Sequence, residues 1–213
     1  MNRIITIGRE FGSGGRELGR RLSEKLGIAY YDREIVAEIA KRTSLSENYV
    51  QQIVERKPIV AFPIHVGRSF NIPLLSPVWE QGQAVYQEQH TIIREMARKS
   101  DCVIVGRCAD YILREQGPFR LFVYADMAAR IARCRANGLL NGEDAEGMTD
   151  QELRRHILDI DKNRAKYYDF YTGQTWGDRA NYDLCVNTTH SIDSSPRGIN
   201  IEKMAELIAG LLG

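Results

Sequence analysis

Gly12, Ser13, Gly14 and Gly15 stand together between a β-branched run, "RIITI" (3–7), and a stretch in which Leu18, Leu22 and Leu26 recur every four residues. Glycines at a strand-to-helix junction permit positive backbone torsions, so successive amides can point into one hollow at a helix N-terminus, where the dipole also favours negative charge. That is polyphosphate-binding chemistry, and it makes Gly8, Arg9, Glu10, Phe11, Gly12, Ser13, Gly14, Gly15, Arg16 and Glu17 the candidate nucleotide-binding loop. The common pattern GxxxxGK[ST] adds a lysine for the terminal phosphates and a hydroxyl for magnesium. With Gly14 as the glycine before the lysine, the lysine position holds Gly15, the hydroxyl position Arg16 and the first glycine position Arg9. Arg16 is the candidate for the missing cation, since a guanidinium is always charged and binds phosphate through two hydrogen bonds. Ser13 is the candidate hydroxyl for the metal. Two other readings stay open. Asp32 lies where a dinucleotide fingerprint needs an acid, although Glu17 fills that motif's third glycine place; or the glycines only make a tight turn, with Arg16 on a solvated helix face.

Further cations lie downstream. Helical spacing puts Arg130 and Arg133 on one face just before a polar, glycine-containing interruption at 139–149, and Arg154, Arg155, Asp161, Lys162 and Arg164 follow it. Two arginine-bearing helices joined by such a hairpin describe a lid whose guanidinium groups neutralise a phosphoryl group in flight; the alternative is an ordinary solvated helix surface. Arg107, in "GRCAD" (106–110) after the run "CVIVG" (102–106), is expected to emerge at a strand's end, or else to cap a turn or pair with Asp110. His65, His90, His156 and His190 share no ligand spacing.

These residues need elements to hold them. Strands are expected at 3–7, at "IAYY" (28–31), at 102–106, at "FRLFVYA" (119–125) and at "YDLCVNT". Helices are expected from Glu17 to Leu26, over 32–42 with Asp32 as cap, after Ser46, from Val78 to Lys99, from Asp126, over "DQELRRHILDIDKNRAKYYDFY" and at "NIEKMAELIAGLL". Strands alternating with helices imply an α/β fold: a parallel sheet with helices on both faces, binding ligand at the strands' carboxyl ends. The segment 58–77, with four prolines, is too long for a plain connector.

The chain has 213 residues with 29 Lys+Arg against 28 Asp+Glu, so no overall field draws it to nucleic acid or to an anionic membrane, and an anion site has to be built locally. Four scattered cysteines, Cys102, Cys108, Cys134 and Cys185, suggest neither zinc nor disulfides. With no stretch of signal or membrane-spanning type, a soluble, cytoplasmic protein is expected.

"ITIGREFGSGGRELGRRLSEKLGIAYYDREI", "VIVGRCADYIL" and "DIDKNRAKYYDFYTGQTWGDRANYDLCVNT", in this order, resemble the cytidylate kinase-like family of P-loop proteins over nearly the whole chain. The resemblance implies a three-layer P-loop NTPase-type fold with a core (1–31, 100–138, 180–213), a helical acceptor-binding insertion (about 32–99) and a lid (about 139–165). It implies ATP and Mg2+ as cofactors and phosphoryl transfer to a nucleoside monophosphate, CMP- or dCMP-like, or to another small acceptor. By position, residues 8–17 surround the ATP phosphates; Asp32, Arg33 and Arg107 belong to the acceptor; Arg130 and Arg133 correspond to the start of the lid, and Asp161 and Arg164 to the pair after it. Cys108 stands where the family's cytidylate kinases carry an acid that reads the cytosine, and Asp32-Arg33 replaces their hydroxyl-bearing turn. Read as a kinase, the chain has Arg16, Arg130, Arg133, Asp161 and Arg164 as its catalytic set. The alternative is a nucleotide-binding sensor or interaction protein without turnover; a phosphosulfate-dependent transferase ranks below both.

Overall fold

The computed structural model describes residues 2–55, 77–137, 147–191 and 200–212. In chain order the elements are β1 (Ile4–Arg9), α1 (Gly15–Leu26), β2 (Ala29–Tyr31), α2 (Arg33–Thr43), α3 (Glu47–Glu55), α4 (Pro77–Lys99), β3 (Cys102–Val105), α5 (Ala109–Ile112), β4 (Phe119–Tyr124), α6 (Met127–Asn137), α7 (Asp150–Thr172), β5 (Leu184–Asn187) and α8 (Ile201–Leu212). The strands form one parallel sheet in the order β2-β3-β1-β4-β5, with Ile5 of β1 facing Val103 on one side and Phe119 on the other.

Alternation along the buried strands divides the core. Ile5, Ile7, Val103, Val105, Leu121 and Val123 pack against Leu18 and Leu22 of α1 and Ile201, Ala205 and Ile208 of α8. Ile4, Cys102 and Ile104 share the other cluster with Ile35 and Ile39 of α2, Val50 of α3 and Ile92 and Ile93 of α4. Leu18 and Leu22 are fully buried, and each such side chain contributes about 1.5 to 3 kcal/mol over an exposed one. The leucine repeat that predicted α1 is therefore what fixes it to the sheet.

Local signals set most boundaries as expected. Gly27 ends α1 in the left-handed region, φ 64°. Ser46 Oγ accepts from the Tyr49 amide at 3.2 Å, and Asp126 Oδ1 from the Ala129 amide at 2.8 Å. Two differences matter for the site. β1 does not stop at Gly8 but continues through Arg9, because β4 keeps offering partners: Phe122 opposite Gly8 and Val123 opposite Arg9. Asp32 precedes α2 but makes no side-chain cap hydrogen bond; its carboxylate is used elsewhere. The segment 58–77 lies outside the described residues except for its last, and the first part of the expected lid, 139–146, lies wholly outside them.

Candidate active site

The loop from Glu10 to Gly14 joins β1 to α1 at the carboxyl edge of the sheet. Gly12 and Gly14 take φ of 74° and 80°, a region that L side chains disfavour. Gly14 sits at the N-cap of α1 and offers no side chain to the first-turn amides, which have no acceptor within the helix. Those amides border a cavity of about 590 Å³ lined by the loop, by Tyr30 of β2 and Asp32, Arg33 and Glu34 after it, and by Arg133, Cys134, Asn137 and Arg164 from α6 and α7. Six arginines and four carboxylates line it, so the balance favours an anion.

The back of the loop is held by its carbonyls. Arg130 Nε donates to the Phe11 carbonyl at 2.7 Å, and Arg133 Nη1 to that of Gly12 at 3.4 Å. Thr188 Oγ1 donates to the Ser13 carbonyl at 2.6 Å. The Phe11 amide donates to Asp161 Oδ1 at 2.8 Å, and Asp161 also pairs with Arg130. Phe11 itself is buried with Cys134, Leu153 and Ile157, so an apolar anchor from the loop sits beneath α6 and α7. Burial pushes the Asp161 carboxyl up, with Arg164 and Arg130 pulling the other way.

The expected lid arginines thus separate. Arg130 is 4% exposed and is turned into the protein, between Phe11, Asp161 and Glu10 Oε2 at 3.3 Å. It borders the loop's back and not the cavity. Arg133 reaches the cavity wall but spends its guanidinium on the Gly12 and Thr188 carbonyls and on Ser191 Oγ, the last at 2.7 Å. Arg164 lies with its guanidinium carbon 5.4 Å from the Phe11 ring centroid, and its Nη1 is 3.6 Å from Asp161 Oδ1 and donates to the Arg9 carbonyl at 3.5 Å. Arg154, Arg155 and Lys162 are exposed on α7.

Arg16 lines the cavity, paired with the Asp32 carboxylate, which is 3% exposed. Asp32 also stands 3.8 Å from Arg9. Asp32 is therefore a counter-ion inside an arginine cluster, while Arg33 beside it is an exposed wall residue of the same cavity. Arg107 lies elsewhere, in a second, inner cavity of about 50 Å³ between the ends of β1 and β3 and the aromatic side chains Tyr167, Tyr168, Trp176 and Tyr182. Its guanidinium donates to Gln51 Oε1 and its carbonyl accepts from Gln89 Nε2, each at 2.9 Å. It does not pair with Asp110, which accepts from Tyr168 Oη at 2.7 Å. Burial raises the Asp110 carboxyl and lifts the adjoining Cys108 thiol well above its usual range.

Ser13 does not fit the metal role assigned to it. Its side chain is fully buried, its hydroxyl donates to the Glu10 carbonyl at 2.8 Å, and it is absent from the cavity's lining.

Neither Gln51, Gln89 nor Phe11's anchoring role was apparent from spacing. The glutamines sit in helical stretches with no motif, and only the packing of α3 and α4 beside β3 brings them to Arg107.

Residues 4–190 match the model of the cytidylate kinase-like family. A cytidylate kinase of Methanopyrus kandleri is 24% identical over 196 residues, which is 87% of this chain and 84% of that protein. Among solved structures, an uncharacterised protein of Eubacterium ventriosum is similar with a TM-score of 0.67 and 24% identity, covering 99% of this chain and 98% of that one. A shikimate kinase of Bacteroides thetaiotaomicron follows with a TM-score of 0.59 and 16% identity, covering 100% and 99%. At these identities the solved structures show the fold alone, a sheet and helix arrangement shared with that shikimate kinase. No helix among the described residues is long and apolar enough to cross a membrane.

Proposed function

Since the chain belongs to the cytidylate kinase-like family, whose model covers residues 4–190, we propose that it transfers the γ-phosphoryl group of ATP to a nucleoside monophosphate or another small acceptor. The observation that carries this is the cavity of about 590 Å³ at the end of β1, where the glycine loop, the first turn of α1 and arginines from five separate elements converge. Phosphoryl transfer asks little covalent chemistry of a protein and much positioning and charge neutralisation. An acceptor oxygen bonds to the γ-phosphorus as the bond to the β–γ bridging oxygen breaks, and ADP leaves with that electron pair. A monophosphate attacks through an already ionised oxygen; a hydroxyl acceptor gives its proton to solvent.

In this reading the amides of Gly14, Gly15 and Arg16 and the Arg16 side chain hold the donor phosphates, and Arg164 faces the transferring group. Arg130, Arg133 and Asp161 act as positioning residues that hold the loop. Residues 32–99 form the acceptor side, with Arg33 and Arg107 on separate walls, and 139–165 form the lid. Mg2+ enters on the phosphates of the donor. The protein is read as a soluble cytoplasmic enzyme acting on small nucleotides.

The test is ATP titration with and without magnesium, followed by a product assay over CMP, dCMP, UMP, AMP and, because the fold is shared with a shikimate kinase, shikimate. Acceptor-dependent ADP formation is expected. ATP binding with no product from any acceptor supports the sensor reading favoured by the missing lysine; no ATP binding removes both.

A further inference from the structure

Arg9 closes β1 where the common phosphate loop has its first glycine, and its side chain is 13% exposed. Three observations single it out. Its guanidinium makes no hydrogen bond among the described residues, only the ion pair with Asp32 at 3.8 Å, whereas Asp32 is engaged closely by Arg16. It occupies a prepared berth: Gly106, at φ 72°, lies beneath it, and a methyl group there would overlap the guanidinium. Finally, Arg9 and Arg164 are the two residues that line both the large cavity and the inner one.

The electrostatics point the same way. The Arg9 guanidinium is pulled down to about 9, by burial first and then by Arg164, with Arg107 and Arg16 adding to the lowering and Asp32 opposing it. Four guanidinium groups thus act on one another with two buried aspartates among them, Asp32 shared by Arg9 and Arg16, and Asp161 beside Arg164. Buried charge left without compensation is costly, so the cluster is built for an anion that brings more than one negative charge.

Building on the kinase reading, we infer that Arg9, rather than a lysine on the loop, is the cation that grips the transferring phosphoryl group, at the junction of the donor cavity and the inner cavity. A planar fork of donors can hold two phosphate oxygens at once. Arriving from the strand instead of the helix, it approaches the end of the phosphate chain from below the loop. The missing lysine is then a relocation of charge, and Gly106, whose φ of 72° already favours glycine, leaves Arg9 its space.

The probes are sodium tripolyphosphate and ATP, against ADP, which lacks the group in question. In Arg9→Met, tripolyphosphate and ATP are expected to bind about 10- to 100-fold more weakly, while ADP affinity stays within about threefold and turnover falls about a hundredfold or more. Arg9→Lys restores part of the ATP preference, which a purely structural role would not require. Gly106→Ala reproduces the loss with Arg9 still present. An Arg9→Met protein that melts like the parent and binds ATP and ADP in the parent's ratio overturns the inference. Tripolyphosphate keeps this separable from the kinase reading: loss of its binding in Arg9→Met upholds the role of Arg9 even if no acceptor is ever phosphorylated. A wild-type crystal soaked in tripolyphosphate needs no variant. Anion density within hydrogen-bond reach of Arg9 upholds the assignment, and density confined to Arg16 overturns it.

Discussion

Asp161 holds two groups of the loop's support at once, the Phe11 amide at 2.8 Å and the buried Arg130 guanidinium. Removing it leaves Arg130 with the Phe11 carbonyl and, among the described residues, one carboxylate, Glu10 at 3.3 Å. Asp161→Ala is therefore expected to lower stability by about 3 kcal/mol, the lower end for breaking a buried pair because one carboxylate remains; urea denaturation measures it, and a change below about 0.5 kcal/mol would refute the clamp. For Arg16, on the cavity side, the effect to be read is on ligand. Arg16→Ala should weaken ATP by about 1.5 to 3 kcal/mol, the size of a charge-assisted hydrogen bond, and an unchanged dissociation constant by calorimetry removes Arg16 from the site. The position of Arg16 was legible in the loop's spacing. Its partner was not, because Asp32 read as a helix cap and the two meet only once α1 and β2 lie side by side. Arg130 was legible as a charge but not as a buried one, since helical periodicity does not say which face another helix covers.

Elements were read more securely than contacts. The β-branched runs and the leucine repeat gave every strand and nearly every helix, because those signals act within one segment. Thr149 is a case where local chemistry decides: its hydroxyl accepts from the Glu152 amide while Glu152 Oε2 accepts from the Thr149 amide at 2.8 Å, a capping box that starts the 23-residue α7. Thr149→Ala should cost about 1 kcal/mol in thermal or urea unfolding, and no loss would mean that packing alone sets the start of α7. The extension of β1 to Arg9 was not legible, because it depends on pairing with β4, far away in sequence. The edge of that same region offers a pH test. Asp183, before β5, accepts from the Arg120 amide and Nη2 at 2.8 Å each and from Nε at 3.1 Å, and hydrogen bonding to Arg120 holds its carboxyl below the ordinary value. Depressed in the folded state, it contributes stability above the ordinary carboxylate value, and that contribution disappears as pH falls through the folded one. Asp183→Asn should be less stable than the parent by about 0.5 to 1 kcal/mol at neutral pH, the pair being partly solvated, and the gap should close below about pH 4. A gap independent of pH would assign the loss to packing.

Across the whole molecule, the net charge of +1 hides a local excess of cations: arginines from β1, α1, α2, α6 and α7 converge on one edge of a sheet whose faces are otherwise apolar. Such a cluster repels itself in the free protein, so an anion that fills it should stabilise the fold as well as bind. If only the native state binds, ATP at 100 times its dissociation constant adds about 2.7 kcal/mol and raises the melting temperature by roughly 5 to 10 °C for a domain of this size. The ordering of ligands carries the physical content. Tripolyphosphate should stabilise the protein without any base, adenosine should do little at equal concentration, and the ATP shift should shrink as salt screens the exposed part of the cluster. If adenosine raised the melting temperature as much as ATP, the base would be the anchor, and phosphate recognition by the glycine loop and its arginines would no longer account for what this fold binds.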